Sequence, residues 1–463
     1  MMIHRHMHRL AARAAKTALA TCLIVQSTLP ALAQNRNLPL IRDAEIESLM
    51  RIYSRPIFQA AGINEGAAKV FLVRQPSINA FVAGGQRIFI NTGLLVQAKT
   101  PNEVIGVLAH ETGHISGGHL ARMGQQMQKA TNQAIIGMLL GAAAIAAGAA
   151  TGNSEASQAG AGVYLGTQGL VQRNLMAYVR AQESSADQAA IKFLDGTGQS
   201  GRGMLTLFQR LMNQSMGSLK NANPYVMTHP MPLDRIRNLE VSVKKSQFYG
   251  REDPQDLVLR HRLMQAKLSG FLDSAQQVFQ KYPASDRSLP ARYARSIAAF
   301  RMGDLKNALR EIDSVIESQP GYAYFWELKC QALLESGHGQ DAVAPLQKAA
   351  KLSNGNGLIQ VMLAQALLQD ESRGNAEAAL KILKASLRSE RDMPTLHAQM
   401  AIAYARLGNI PLADLSTAEA AMLRGDRELA SKKAELAAAK LKRGSPEWLR
   451  ANDILNFADQ KKS

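Results

Sequence analysis

Two histidines and a glutamate in this sequence have the spacing of a metal-dependent hydrolase. In His110-Glu111-Thr112-Gly113-His114 the histidines are four residues apart, so on a helix they share one face and both imidazoles can reach one zinc ion. Glu111 lies beside that face, where it can take a proton from water on the zinc and later pass it to a leaving amine. The motif predicts a zinc peptidase, and the alternative is a structural pair of surface histidines.

The residues before this motif predict the helix that must carry it. Thr100 suits the N-cap, Pro101 suits the first helical position, and Glu103 completes a capping-box pattern. Apolar residues on the other faces predict that the helix is buried. They are Val104, Ile105, Val107, Leu108 and Ile115.

The third metal ligand is expected from another part of the chain. The metzincin pattern would need a histidine where Leu120 stands, and His119 is predicted to point about 140° away round a continuous helix, as a packing or polar-network residue. Glu183 is the better candidate, on a helical pattern from about residue 175 to 194. It shares a face with Asp187, which can hold a ligating imidazole through its ring N–H. Taken alone, a solvated acidic face explains this pair better, because acidic residues four apart on a helix are common.

A short hairpin is predicted before the metal motif. The segments 78–83 and 87–91 have the pattern of two strands joined through Gly84-Gly85. A sheet edge near the zinc would bind an unfolded polypeptide as an added strand through main-chain hydrogen bonds. The candidate edge residues are Asn79, Ala80, Phe81 and Val82. An ordinary hairpin without a binding role is the alternative.

Four motifs in order resemble those of the HtpX and CAAX-prenyl-protease superfamily. They are the segment 77–95, His110-Glu-x-x-His114, Glu183-x-x-Ala-Asp187, and the segment 228–236 with the sequence Thr-His-Pro-Met-Pro-Leu-Asp-Arg-Ile. With the export signal and helical repeats described below, the whole mature chain is similar to the BepA-like periplasmic proteases.

The resemblance implies a role for each matching residue. It implies one Zn²⁺ per chain held by His110, His114 and Glu183, with Glu111 as general base and Asp187 supporting the ligands.

Two further residues gain a role only from the resemblance. It implies that His229 occupies the remaining zinc position and keeps the enzyme latent, and that His229 and Arg235 lie near the oxyanion during catalysis. Without the resemblance, His229 is an ordinary turn residue between Thr228 and Pro230.

The N-terminus predicts a secretory signal peptide at residues 1–33, with an uncleaved anchor as the alternative. An apolar stretch and Ala31-Leu32-Ala33 follow a basic region. Cleavage would remove four basic residues and no acidic one, leaving +13 of the formal net charge of +17. A surface this basic favours anionic lipid headgroups or acidic partners, or simply solubility. Export argues against nucleic acid, and the single remaining thiol, Cys330, excludes an intramolecular disulfide.

Residues 134–150 contain no charge and are rich in alanine and glycine. The run is slightly short for a membrane span. We expect either a buried or active-site-covering element, or a surface that contacts a membrane or membrane protein. Residues 151–169 are rich in Gly, Ala and Ser and are expected to be mobile.

The second half of the chain has a helical repeat pattern. Gly303 to Ala308 and Gly337 to Ala342 are related segments 34 residues apart, and Ala379 and Ala413 continue the series. This period, with a small residue at each helix crossing, is typical of tetratricopeptide repeats, and about four fit. The stretch after Arg427 is expected to form a capping helix pair.

These features predict a mainly α protein with a small β-sheet. We expect a gluzincin-type metallopeptidase domain at residues 34–250 and an α-solenoid of tetratricopeptide repeats at 251–463. The leading hypothesis is a periplasmic endopeptidase, by resemblance associated with the outer membrane and its β-barrel assembly machinery, that degrades misfolded or stalled exported proteins. The rival is a chaperone or scaffold for β-barrel assembly with a mostly closed protease site. An integral membrane protease is the third hypothesis.

Overall fold

The computed structural model describes residues 38–64, 66–216 and 223–459. The predicted signal peptide lies outside these residues. From Leu40 onward the chain forms one compact unit. It is mainly helical with one four-stranded sheet, so the predicted fold class is confirmed.

The sheet has the strand order β1-β2-β4-β3, with β1 at Leu40–Ile41, β2 at Lys69–Val73, β3 at Ala80–Ala83 and β4 at Arg87–Asn91. Strands β3 and β4 form the predicted antiparallel hairpin, joined through Gly84 and Gly85, both with positive φ. Strand β2 pairs with β4 in parallel, a contact that the sequence did not predict. Because β3 pairs with β4 alone in the described sheet, it is an edge strand.

Helix α1 (Ala44–Ala60) and helix α3 (Pro101–Ser116) form the centre of the catalytic half, with the short α2 (Thr92–Gln97) between sheet and α3. Helix α3 begins where the sequence predicts, because the Glu103 amide donates to the Thr100 hydroxyl at 3.3 Å. The capping box is only half formed. The Glu103 carboxylate instead accepts from the Lys99 amide and pairs with Arg210, each at 2.8 Å.

Two long antiparallel helices follow, α4 (His119–Thr151) and α5 (Ser154–Gly196). The helix predicted over about 175–194 is therefore the C-terminal part of a much longer one. Residues 151–169, which were expected to be mobile, are helical except for the turn at Gly152 and Asn153. Gly160 lies close to Gly141 of α4, where a larger side chain would not fit. Within the described residues α4 is the one helix long and apolar enough to cross a membrane.

The catalytic half ends with three shorter helices, α6 (Arg202–Met216), α7 (Pro224–Thr228) and α8 (Leu233–Lys245). Helix α9 (Gln255–Leu272) then packs on both halves. Its Met264 and Leu268 lie in the core around α1 and α3, whereas Leu263 and Ala266 lie in the core of the repeats. The division at residue 250 remains a prediction, because α9 belongs to both cores.

The repeats are stacked helix pairs. Ala308, Ala342 and Ala379 are fully buried in the second helix of successive pairs, as the period predicts, whereas Ala413 is only partly buried. The helices are α10 (Ala275–Lys281), α11 (Leu289–Arg301), α12 (Leu305–Ser318), α13 (Ala323–Glu335), α14 (Gly339–Leu352), α15 (Gly357–Leu367), α16 (Arg373–Glu390), α17 (Pro394–Arg406), α18 (Ile410–Arg424), α19 (Arg427–Ala438) and α20 (Pro446–Asp459).

A buried cluster of charges joins the start of α1 to the repeats. The Lys267 ammonium on α9 lies 2.8 Å from Asp43, 3.4 Å from Glu45 and 3.3 Å from Glu327. Two tyrosine hydroxyls also donate to Glu45. Burial raises the pKa of Glu327 to about 7, although Lys267 opposes the shift. The lysine therefore offsets the charge of acids that would otherwise be buried together without a cation.

Replacing this lysine should destabilise the junction strongly. Lys267→Met leaves the buried acids without their cation, which costs about 3–5 kcal/mol. We expect a large fall in the midpoint of thermal unfolding measured by circular dichroism. The control Lys244→Met, at an exposed i,i+4 pair with Glu240, should leave the midpoint unchanged. Equal effects of the two substitutions would contradict the assigned role of Lys267.

Candidate metal centre

Helices α3 and α5 approach closely enough to place their side chains around one point. Gly113 makes this possible, since a Cβ at this position would lie 2.7 Å from the carbonyl oxygen of Ala186. The glycine inside the His-Glu-x-x-His motif therefore lets the backbone of α5 contact α3. As a result Glu183 and Asp187 face the two histidines of α3.

Four side chains offer ligand atoms that all lie within 4.8 Å of one another: His110, His114, Glu183 and His229. The Nε2 atoms of His110 and His114 are 3.0 Å apart, and Nδ1 of His229 is 3.4 Å from Nε2 of His110. That Nδ1 atom is also 3.2 Å from each oxygen of the Glu183 carboxylate. His229 reaches the cluster from the connector between α7 and α8.

This donor set fits a tetrahedral metal ion. Bonds of about 2.0–2.1 Å to a tetrahedral zinc put neighbouring ligand atoms about 3.3 Å apart. The separations of 3.0, 3.2 and 3.4 Å are close to that value. The point where the ligand atoms meet is buried, since His110 is fully buried and Glu183 is 3% exposed. Such a convergence of nitrogen lone pairs is stable only when a cation or proton lies among them.

Asp187 and Arg235 hold the ligands from behind. The Asp187 Oδ1 atom lies 2.9 Å from Nδ1 of His110, the ring nitrogen that faces away from the cluster. Arg235 on α8 donates to both oxygens of Asp187, at 2.7 and 2.9 Å, and its Nη1 lies 2.8 Å from Glu183. The guanidinium is thus paired with both carboxylates. Its implied role near the oxyanion remains a prediction.

The surroundings shift the pKa values of the ligands in different directions. Burial lowers the pKa of His110, but hydrogen bonds with Asp187 and Glu183 outweigh burial and raise it to about 9. Burial lowers the pKa of His114 to about 4. Burial raises the pKa of Glu183, yet hydrogen bonds from three histidines hold it well below its usual range. In the metal-free protein at pH 7, His110 is therefore protonated and His114 is neutral.

Glu111 is buried beside the cluster. Its Oε1 atom lies 3.4 Å from Nε2 of His229, and neither carboxylate oxygen has a hydrogen-bond partner among the described residues. Burial raises the pKa of this carboxyl group. A carboxylate with a raised pKa and free oxygens suits proton transfer near neutral pH.

His119 belongs to a polar network, as predicted, but for a different reason. Helix α3 ends at Ser116, and Gly118 with a φ of +61° redirects the chain, so His119 starts a new helix. Its Nδ1 atom lies 3.0 Å from Nδ1 of His114. The assumption of one continuous helix was wrong, because it placed this ring on the far side.

Two aromatic residues of the site were not predicted from the sequence. The Tyr225 ring stacks on His229 with centroids 4.5 Å apart, and the Phe208 ring meets His110 edge-on at 5.6 Å. No motif or spacing marks either residue. The proximity of Tyr225 to the His229 segment was the one available signal.

The predicted substrate strand lies beside the His229 connector. The Thr228 hydroxyl, one residue before His229, is 3.5 Å from the Asn79 side-chain oxygen. Ala80, Phe81 and Val82 follow in edge strand β3, where Phe81 stacks on Phe89. The binding role of the four edge residues remains a prediction.

Comparison with known proteins gives the family. The model of Peptidase family M48 matches residues 42–243. The β-barrel assembly-enhancing protease of Escherichia coli is 23% identical over 410 residues, covering 88% of this chain and 82% of that protein. Its namesake in Yersinia pestis is 24% identical, covering 74% of this chain and 69% of that protein. Protease HtpX of Salmonella arizonae is 30% identical, covering 36% and 64%.

These matches confirm the resemblance that the motifs indicated. The matched span of 42–243 contains both histidines of the α3 motif, Glu183 and His229. Residues 42–243 are therefore a Peptidase family M48 domain, the metalloprotease part of this chain.

Proposed function

We propose that this metalloprotease is a zinc endopeptidase of the periplasm that cleaves misfolded or stalled exported proteins, including precursors of outer-membrane β-barrels. The proposal rests on the convergence of three imidazoles and Glu183 next to the Glu111 carboxylate, whose oxygens accept no hydrogen bond from the described residues. The relatives named β-barrel assembly-enhancing proteases support β-barrel precursors as substrates and their assembly machinery as partner.

The residues around the metal divide the chemistry among them. Zinc, when bound, polarises a water molecule and the peptide carbonyl. Glu111 takes the proton of the attacking water and gives it to the leaving amine. Asp187 fixes the ring of His110 so that Nε2 faces the metal. Arg235 balances the charge of the two carboxylates and so keeps Glu183 in place.

Substrate binding by strand addition accounts for a preference for unfolded chains. Edge strand β3 offers main-chain donors and acceptors that an extended polypeptide can pair with. A segment whose main chain is already paired inside a folded protein cannot add to β3 in this way. The repeats supply a second, larger surface for recruiting substrates or assembly partners.

His229 acts as the latch in this proposal. Its Nδ1 atom takes the fourth ligand position, which an attacking water would otherwise use. The ring stacks on Tyr225, and Arg235 donates to the Pro230 carbonyl at 2.9 Å. A substrate strand on β3 would meet Thr228 next to the latch, which gives substrate binding a route to releasing it.

The second candidate function is a chaperone or scaffold. The filled fourth position favours it, because a protein in this conformation binds partners without cleaving them. The repeats would then assist β-barrel assembly directly. The two functions are compatible if release of His229 switches between them.

Glu111→Gln should abolish cleavage and keep the metal. Loss of a general base lowers the rate about 10²–10⁴-fold, while the ligands are untouched. The rate should be measured on an unfolded model protein, with zinc content by mass spectrometry, in both the native and the His229→Ala backgrounds. Glu240→Gln on the exposed face of α8 is the control. Cleavage that persists in Glu111→Gln would contradict the assigned base.

His229→Ala should raise proteolysis. If the open state is a minor one of about 10% or less, removing the latch increases the rate about tenfold or more. The matched control is Met227→Ala, whose side chain is 70% exposed on α7 and which should not change the rate. Unchanged cleavage in His229→Ala, with metal retained, would count against latency.

Zinc binding to metal-free protein should release about one proton at pH 7. The pKa of His110 is raised from 6.5 to about 9, so its proton is held across this range and must leave when the metal binds. The apparent affinity should therefore rise about tenfold per pH unit up to about pH 9. Calorimetry in buffers of different ionisation enthalpy measures the proton count. An affinity independent of pH in this window would contradict the prediction.

A further inference from the structure

The α4–α5 hairpin extends from the catalytic half with its apolar side chains in solvent. Leu139 and Leu165 are 65% and 67% exposed, and only 17% of the most apolar stretch of α4 is buried. Between Lys129 and Glu155 the chain has no charged residue. The expectation of a buried or active-site-covering element at 134–150 does not fit side chains this exposed.

The apolar side chains surround α4 rather than forming one stripe. Exposed residues at consecutive positions cannot share a helix face, because each step turns the helix by about 100°. A partner protein would cover a single face. A helix whose free surface is apolar on all sides is instead expected in the hydrocarbon interior of a membrane. The exposed residues of α4 include Ile135, Ile136, Met138, Leu139, Leu140 and Ile145.

One narrow face of α4 is not exposed, and it is lined by glycine. A Cβ at Gly137 would lie 2.3 Å from the Thr167 methyl, and one at Gly141 would lie 2.9 Å from the Gly160 carbonyl oxygen. Gly137 and Gly141 form a G-x-x-x-G pattern. Small residues at this spacing let helices pack closely without a hydrophobic driving force, as helices do in membranes.

Basic residues mark the base of the hairpin. Lys129 on α4 and Arg173 on α5 limit the uncharged stretches, and Arg122 and Arg180 lie nearer the catalytic half. All four side chains are exposed, and the one acidic residue between Arg122 and Arg180 is Glu155, next to the turn at the tip of the hairpin. Such a cluster complements anionic lipid headgroups.

We propose that the α4–α5 hairpin inserts into a lipid bilayer with anionic headgroups. The 22 uncharged residues from Ala130 to Thr151 extend about 33 Å along a helix, close to the thickness of a hydrocarbon core. Lys129 and Arg173 then lie at the headgroups. The face of α4 lined by Gly137 and Gly141 keeps α4 and α5 packed together in lipid.

Insertion would fix the height of the metal centre above the bilayer. Helix α5 runs without interruption from the apolar part of the hairpin to Glu183. Glu183 is ten residues beyond Arg173, which corresponds to about 15 Å of helix. If the proposed peptidase function is correct, substrates are cleaved where they emerge from the membrane surface.

The test is flotation of the purified protein with vesicles of phosphatidylethanolamine and phosphatidylglycerol. We expect co-flotation that survives high salt, because screening weakens headgroup contacts but not apolar insertion. The double substitution Leu139→Glu and Leu140→Glu should weaken partitioning about a hundredfold. Both side chains are exposed, so folding should be unaffected, and circular dichroism checks this. The matched control is Ile410→Glu and Leu423→Glu, exposed positions of α18.

A second experiment measures how deeply position 139 lies in the bilayer. A polarity-sensitive fluorophore on Leu139→Cys should shift to the blue with vesicles and be quenched by lipids brominated in the acyl chain, and the same probe on Ile410→Cys should not. Neither the flotation nor the fluorescence experiment needs peptidase activity, so both can be carried out on the Glu111→Gln variant. Their results therefore do not depend on whether the proposed peptidase function is correct. Protein that stays in the aqueous fraction would overturn the proposal. Equal losses of vesicle binding in the two double variants would also overturn it. A dimer in lipid-free solution that dissociates when Leu139 and Leu140 are replaced would do the same.

Discussion

Three imidazoles and a carboxylate can share one buried point only when a metal cation or a proton lies among them, and the catalytic half is arranged around this requirement. Helix α3 supplies His110 and His114 one turn apart, and Gly113 between them lets α5 approach to contribute Glu183. The same close approach delivers Asp187 to the back of His110. Arg235 then balances the carboxylates. The metal position thus depends on backbone packing as much as on the ligands.

The four ligands differ in how firmly they are held. Three lie on the long packed helices α3 and α5, whereas His229 lies on a short connector after α7. A ligand on a connector can leave without unfolding a helix. This asymmetry suits the proposed latency, in which the three residues on helices α3 and α5 hold the metal and His229 controls access to it. Helix α5 also continues into the apolar hairpin, so the rigid part of the site is connected to the region that we propose meets lipid.

The sequence predicted those parts of the structure that depend on local chemistry. Thr100 and Pro101 start α3 by capping, the Gly84-Gly85 pair closes the β3–β4 hairpin, and the 34-residue period gives the repeats. Long-range features were less accessible. The parallel pairing of β2 with β4 and the contacts of Lys267 join residues that are far apart in the chain, and no local pattern encodes them.

Within the site, residue spacing predicted correctly which side chains share a helix face. It gave a wrong orientation where the helix ends. Spacing placed Glu183 and Asp187 on one face of a helix, but only the resemblance to the family motifs selected them over a solvated acidic face. His119 was misplaced because Gly118 breaks α3 before it. Residues 151–169 were expected to be mobile and are mostly helical, because a composition rich in Gly, Ala and Ser does not distinguish a flexible segment from a helix. Tyr225 was missed because stacking on an imidazole leaves no sequence pattern.

X-ray absorption at the zinc edge of the resting protein shows which side chains bind the metal. We expect one zinc per chain with three imidazole nitrogens and one carboxylate oxygen at about 2.0–2.1 Å. A zinc with two imidazoles and a water in place of the third, or a protein that binds no zinc, would contradict it.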